Sequence, residues 1–201
     1  DNAYINLNRA LSVVSEEGPA TTIVRDPFTS DRVVKILHPN AVFSGFTVRD
    51  GHAGVYMEAG LLTNCWVVRN AARTFVHGVG AYLTSGTVAR CLVAWNVGVD
   101  HPTIAACGGV MIGAGLLTDS IICSNSAFGG LNGVAGGGGV YAFGSATVRN
   151  CLVVSNQSKH VTAGHGGGMV VQDNAVVENC TVVSNVCPTN MNGGGVYKIG
   201  G

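Results

Sequence analysis

The chain has 201 residues, 47% of them hydrophobic and only 11% charged, against a usual charged share of about 25%. Eleven basic and eleven acidic residues cancel, which removes the electrostatic case for nucleic acid or an anionic membrane as partner. No apolar run approaches the roughly 18 residues needed to cross a bilayer, so membrane insertion of this segment is not expected.

The first residues, Asp1 to Asn8, do not read as a signal peptide; an exported form would have its signal removed or upstream. Alternation at Tyr4 to Leu7, Leu11 to Val14 and Thr22 to Asp26 predicts three short strands. A helix over Ile5 to Ser15 is the competing reading. The turn signal Glu17-Gly18-Pro19 disfavours it, as does the likeness of Thr22 to Asp26 to later segments. Val33 to Leu37 and Ala41 to Asp50 predict a second set of strands.

From Gly54 onward one phrase recurs: a glycine run, a short apolar strand, a turn, and two more strands closing on Asn. Its copies are Gly54 to Asn70, Gly78 to Asn96, Gly108 to Asn125, Gly136 to Asn156 and Gly166 to Asn185. Aligned on the closing residues Asp26, Asp50, Asn70, Asn96, Asn125, Asn156 and Asn185, the spacings are 24, 20, 26, 29, 31 and 29. Repeats of this length indicate a solenoid. No single repeat can bury its own apolar face, but stacked repeats can, each residue about 4.8 Å above its counterpart. The predicted fold is an all-β, right-handed parallel β-helix of about seven coils, three short strands per coil, forming a single domain over residues 1–201.

Two apolar ladders are expected inside, Leu62, Val88, Leu117, Val148, Val177 and Val67, Val93, Ile122, Val153, Val182. Asn70, Asn96, Asn125, Asn156 and Asn185 should stack at one corner as a buried structural ladder, because an inward amide both donates and accepts along the stack. Gly45, Cys65, Cys91, Ser120, Cys151 and Cys180 occupy one small position five residues before each closing residue. The seven cysteines include no CxxC pair, so buried structural thiols are favoured over ligands or disulfides. The surplus length of the longer repeats falls after the closing Asn, lining one edge with loops.

The phrases GGGVY, TVxNC and VVSN resemble the right-handed parallel β-helix repeats of bacterial surface proteins, of the polymorphic outer-membrane and autotransporter-passenger kind. The resemblance covers Gly54 to Gly201 most strongly. It implies an exported location and an adhesin or surface-structure role, and it carries over no catalytic residue.

Enzymes on this architecture use paired carboxylates or a calcium cluster beside a basic residue. Here Asp119 and Glu178 stand two coils apart, and Asp173 and Glu178 share one coil, which is a poor acid supply. His52, His77, His101, His160 and His165 all fall in the insertions, where rings from adjacent coils, with Asp100 or Asp173, could converge on a metal; solvated loop histidines are the favoured alternative. Tyr56, Tyr82, Tyr141 and Tyr197 share one repeat position and either form an outward aromatic stripe able to stack on sugars or pack beneath the loops. No catalytic residue, metal or cofactor is assigned.

Taking the small position as inward turns Phe46, Trp66, Leu92, Ile121 and Leu152 outward, with Val48, Val68, Ala94, Cys123, Val154 and Val183 on the same face. An outer face this apolar predicts an interface. The expected function is a non-catalytic extracellular or bacterial cell-surface module for adhesion, display or filament-type assembly, self-associating laterally or end to end. The alternative is a carbohydrate-active or carbohydrate-binding β-helix. Because the chain stops one strand into an eighth coil, it is expected to be a fragment of a longer chain or to polymerise.

Overall fold

The computed structural model describes residues 4–26, 31–74, 76–99, 107–128, 137–159, 165–188 and 192–200. Three parallel sheets of eight, seven and seven strands run the length of the molecule, each strand pairing with the strand one coil below and one coil above. The chain is a parallel β-helix of seven three-stranded rungs followed by the first strand of an eighth. The third rung is representative: Val55–Met57 lies in the first sheet, Leu61–Thr63 in the second and Trp66–Val68 in the third. The first rung uses Ile5–Leu7, Ser12–Val14 and Ile23–Arg25, in agreement with the strand reading and against a helix.

The register explains the core. Val67, Val93, Ile122, Val153 and Val182 are consecutive partners, as are Leu62, Val88, Leu117, Val148 and Val177. All are fully buried except Val177 and Val182, which belong to the last complete rung and pack on the core from one side. The β-branched side chains suit this stack because each meets an identical shape above and below.

Corners are made by single residues in the left-handed region. Asn64, Arg90, Asp119, Asn150 and Asn179 turn the chain from the second sheet into the third, with φ between 50° and 54°. Arg69, Trp95, Ser124, Ser155 and Ser184 turn it at the end of the third, with φ between 55° and 57°. Asn and Asp tolerate this conformation, whereas Arg and Trp there cost about 1–2 kcal/mol each.

Immediately after the second of these bends comes the asparagine ladder. The Nδ2 groups of Asn70, Asn96, Asn125 and Asn156 each donate to Oδ1 of the next asparagine at 2.9–3.0 Å. The same Oδ1 atoms accept the backbone N–H of the rung below at 2.8–3.0 Å. Glycine is required directly opposite. A Cβ on Gly109 would lie 2.2 Å from the carbonyl oxygen of Gly139 and 3.0 Å from Asn125 Nδ2, so the repeated glycine run lets two backbones and an amide share one corner.

The register corrects the sequence alignment in the second rung. Thr47 pairs with Trp66, so Asp50 matches Arg69 and Gly51 matches Asn70. Gly51 N–H indeed donates to Asn70 Oδ1 at 3.0 Å. Asp50 is the left-handed bend residue, φ 57°, and not the ladder member it resembles. The shift turns Phe46 and Val48 inward: Phe46 is 9% exposed and stacks on Phe43 at 4.5 Å, taking the place filled by cysteine higher up. Thr47 and Arg49 face out instead.

All seven cysteines are thiols, none of them in a disulfide. At the small position, Cys65, Cys91, Cys151 and Cys180 donate from Sγ to the carbonyl two residues back at 3.1–3.3 Å, and Ser120 Oγ does so at 2.7 Å. Each thus caps the bend it follows. Burial pushes the Cys65 thiol up to about 11 and those of Cys91, Cys107 and Cys151 to about 12. A thiol reagent on the native protein is therefore expected to modify the partly exposed Cys123 and Cys187 well before these four; equal rates in a mass-spectrometric time course would contradict the buried register.

Candidate interaction surface

The insertions hold the stack for one or two residues before diverging. Ser126–Ala127 pairs with Gln157–Ser158, and bridges join Ala71 to Val97, Val97 to Ser126 and Gln157 to Val186. Where they return, the described parts lie over the outer face of the first sheet. Cys107 buries itself against Met111, Tyr141 and Val170. The ring of His77 sits 5.0 Å from Tyr82, and His165 stacks on Tyr197 at 4.3 Å.

The tyrosine row does point outward, in register through Tyr56, Tyr82, Met111, Tyr141, Val170 and Tyr197. It is not an open stripe. Tyr141 is 5% exposed, donates its hydroxyl to Gln172, and is pushed up to about 12 by burial and then by Asp173. Tyr56 and Tyr82 are half-buried, 5.7 Å apart, beside a cleft of about 280 Å³ that also touches Lys35 and Arg32. Arg32 had no sequence signal. Its buried guanidinium donates to the carbonyls of Gly78 (2.7 Å), Val55 (3.1 Å) and His77, fastening a loop to the sheet, and burial lowers it to about 10.

Among the described residues, His52, His77 and His165 are neither gathered into one cluster nor simply solvated. Nδ1 of His52 accepts the Arg73 N–H at 2.9 Å, and Nδ1 of His165 accepts that of Asn192 at 3.2 Å, so each ties its loop to the next. Desolvation, then Arg32, lowers the pKa of both His52 and His77. His101, His160 and Asp100 lie outside the described residues. Among the described residues no three His, Cys, Asp or Glu side chains form a metal-binding group.

The carboxylates are dispersed by the register. Asp119 is a bend residue whose oxygens accept from Thr118 Oγ1 (2.8 Å) and Asn150 Nδ2 (3.1 Å), bonds that lower its pKa. Glu178 stands one position earlier, in the row of Thr118 and Arg149. Asp173 accepts from the Gly144 N–H at 3.3 Å.

The third sheet is different. Its outward row runs Ile23, Thr47, Trp66, Leu92, Ile121, Leu152, Thr181, and its second row Arg25, Arg49, Val68, Ala94, Cys123, Val154, Val183. Trp66 is 40% exposed, Ile121 45% and Val183 46%, Leu92 and Leu152 are half-buried, and Val68 and Ala94 are buried. The predicted outward row therefore holds from Trp66 up, with Phe46 excluded as above, whereas Val68 and Ala94, expected on the open face, are covered. Trp95, absent from the sequence reading of this face, joins it from its bend at 50% exposure. Between Trp66 and Trp95 opens an apolar groove of about 360 Å³. In comparisons with protein-family models, curated proteins and solved structures, the chain matches none.

Proposed function

We propose that the chain is a non-catalytic β-helix module of an extracellular or bacterial cell-surface protein, serving adhesion, display or filament-type assembly through the outer face of its third sheet. The observation that carries this is the outward row of Trp66, Leu92, Ile121 and Leu152, with Val154 and Val183 beside it. A strand with one solvated face alternates apolar-in and polar-out, and these strands do not. The resemblance of the repeat phrases to those of bacterial surface proteins supports the exported location.

The size of the strip sets the strength expected of it. Five rungs, the third to the seventh, at about 4.8 Å and a width of about 10 Å give roughly 240 Å², against about 800 Å² per partner in stable complexes. One strip supports weak pairing, and firm attachment needs many strips acting together. Sedimentation velocity is expected to detect reversible self-association only from about 0.1 mM upward, in line with so small an interface. The double variant Ile121→Ser with Leu152→Ser should remain monomeric at the same concentration without a change in thermal unfolding. Wild-type protein that stays monomeric well above that range would overturn the assembly role.

A further inference from the structure

Both tryptophans of the chain line one groove. Trp66 stands in the outward row of the third rung and Trp95 at the bend of the fourth, one rung up and three residues along, a diagonal of about 11 Å. The groove floor between them is Leu92 and Val68, and its rim carries Arg49 and Arg69 and no carboxylate. The Arg69 guanidinium lies 6.0 Å from the Trp95 ring centroid and has no ion pair among the described residues. Arg49 Nε is buried, 3.2 Å from Asp50 Oδ2 yet without hydrogen-bond geometry to it.

Trp95 occupies a left-handed conformation that costs a bulky residue, at a position where higher rungs use serine. The exposed indole therefore carries two penalties, backbone strain and solvation of apolar surface, with no gain to the core. At about 360 Å³ the groove is at the low end of small-ligand sites, which run from about 300 Å³.

We propose that this groove is a binding subsite for an acidic carbohydrate, a uronate-type oligosaccharide, with Trp66 and Trp95 as stacking platforms and Arg69 as the carboxylate ligand. The weakly positive C–H face of a pyranose ring complements the negative face of an indole. The guanidinium, held against Trp95, keeps donor edges free for a planar carboxylate. The rung spacing is close to the length of one sugar unit, so a linear chain can follow the strip. A single-stranded nucleic acid also stacks on aromatics, but it needs a track of cations, and the strip above Trp95 continues as Ile121, Cys123 and Leu152. The subsite rests on the adhesion role proposed above and gives it a ligand class.

Because both fluorophores lie in the groove, intrinsic fluorescence reports on it directly. Titration with hexagalacturonate at low ionic strength is expected to give a saturable change, weakened by salt. Trp66→Ala and Trp95→Ala should each lower affinity at least about tenfold. Arg69→Gln should lower it about tenfold for the uronate while leaving thermal unfolding unchanged. The Ile121→Ser, Leu152→Ser protein, blocked in pairing, should bind as wild type. Wild-type protein that binds the sugar but does not self-associate sinks the assembly role alone. No saturable change with hexagalacturonate, equal binding of maltohexaose, or tighter binding of an oligothymidylate overturns the subsite.

Discussion

Val153→Asp is expected to abolish the cooperative unfolding transition. Val153 is fully buried and stacked between Ile122 below and Val182 above, with apolar neighbours on every inward side. A carboxylate there has no partner, and burying an unpaired charge costs far more than the roughly 5–15 kcal/mol by which domains are stable. Protonation lowers the penalty but still leaves a polar group in a dry ladder. Val153→Ala keeps the register and should cost only about 2–3 kcal/mol. Circular dichroism melts distinguish the two. A cooperative melt near the wild-type temperature for the Asp variant would mean that the inward register is wrong.

Asn156→Ala should have the second largest effect, through four hydrogen bonds at one side chain. Asn156 Oδ1 accepts from the N–H and Nδ2 of Asn125, both at 3.0 Å, and its Nδ2 donates to the Ile122 carbonyl at 2.9 Å and to Asn185 Oδ1 at 3.0 Å. Alanine leaves several buried groups unmatched at about 1–3 kcal/mol each, so a loss of about 3–5 kcal/mol is expected in denaturant titration. Asn156→Asp probes the donor half alone. A carboxylate would face the two acceptors that Nδ2 now serves, so the folded state would raise its pKa above the ordinary value of about 3.9. The variant should be most stable below that value and lose stability as pH rises towards the folded pKa. A loss near 1 kcal/mol or less for Asn156→Ala would indicate that water replaces the amide.

The repeat was legible because its constraints are local and periodic. An apolar β-branched residue every second position, a glycine run and a closing Asn can be read without knowing which rung they stack on. The second rung was misread for a physical reason: Asp50 is an Asx residue at the end of a strand, just as Asn70 is. What separates them is that the ladder corner admits glycine at Gly51, while Asp50 supplies the left-handed bend. The bends left little trace elsewhere, since Arg69, Trp95 and Ser124 share no side-chain chemistry and only their φ unites them. That is why Trp95 was missed on the face it helps to form. Where the loops land was not legible either. Their described parts pack over Tyr141 through residues far apart in sequence, Cys107 above all.

The ladder pairing has a mechanical consequence. Every strand bonds only to its counterparts on the adjacent rungs, and the asparagines link residues 26, 29, 31 and 29 positions apart. Tension applied along the axis therefore meets one rung interface at a time, like a zip opened from its end. Each released coil pays out its whole contour, about 90–110 Å at roughly 3.5 Å per residue. The insertions add to the length that each released coil pays out. A rod of this construction yields by extending in unequal steps, and so absorbs a pull at its end without giving way all at once.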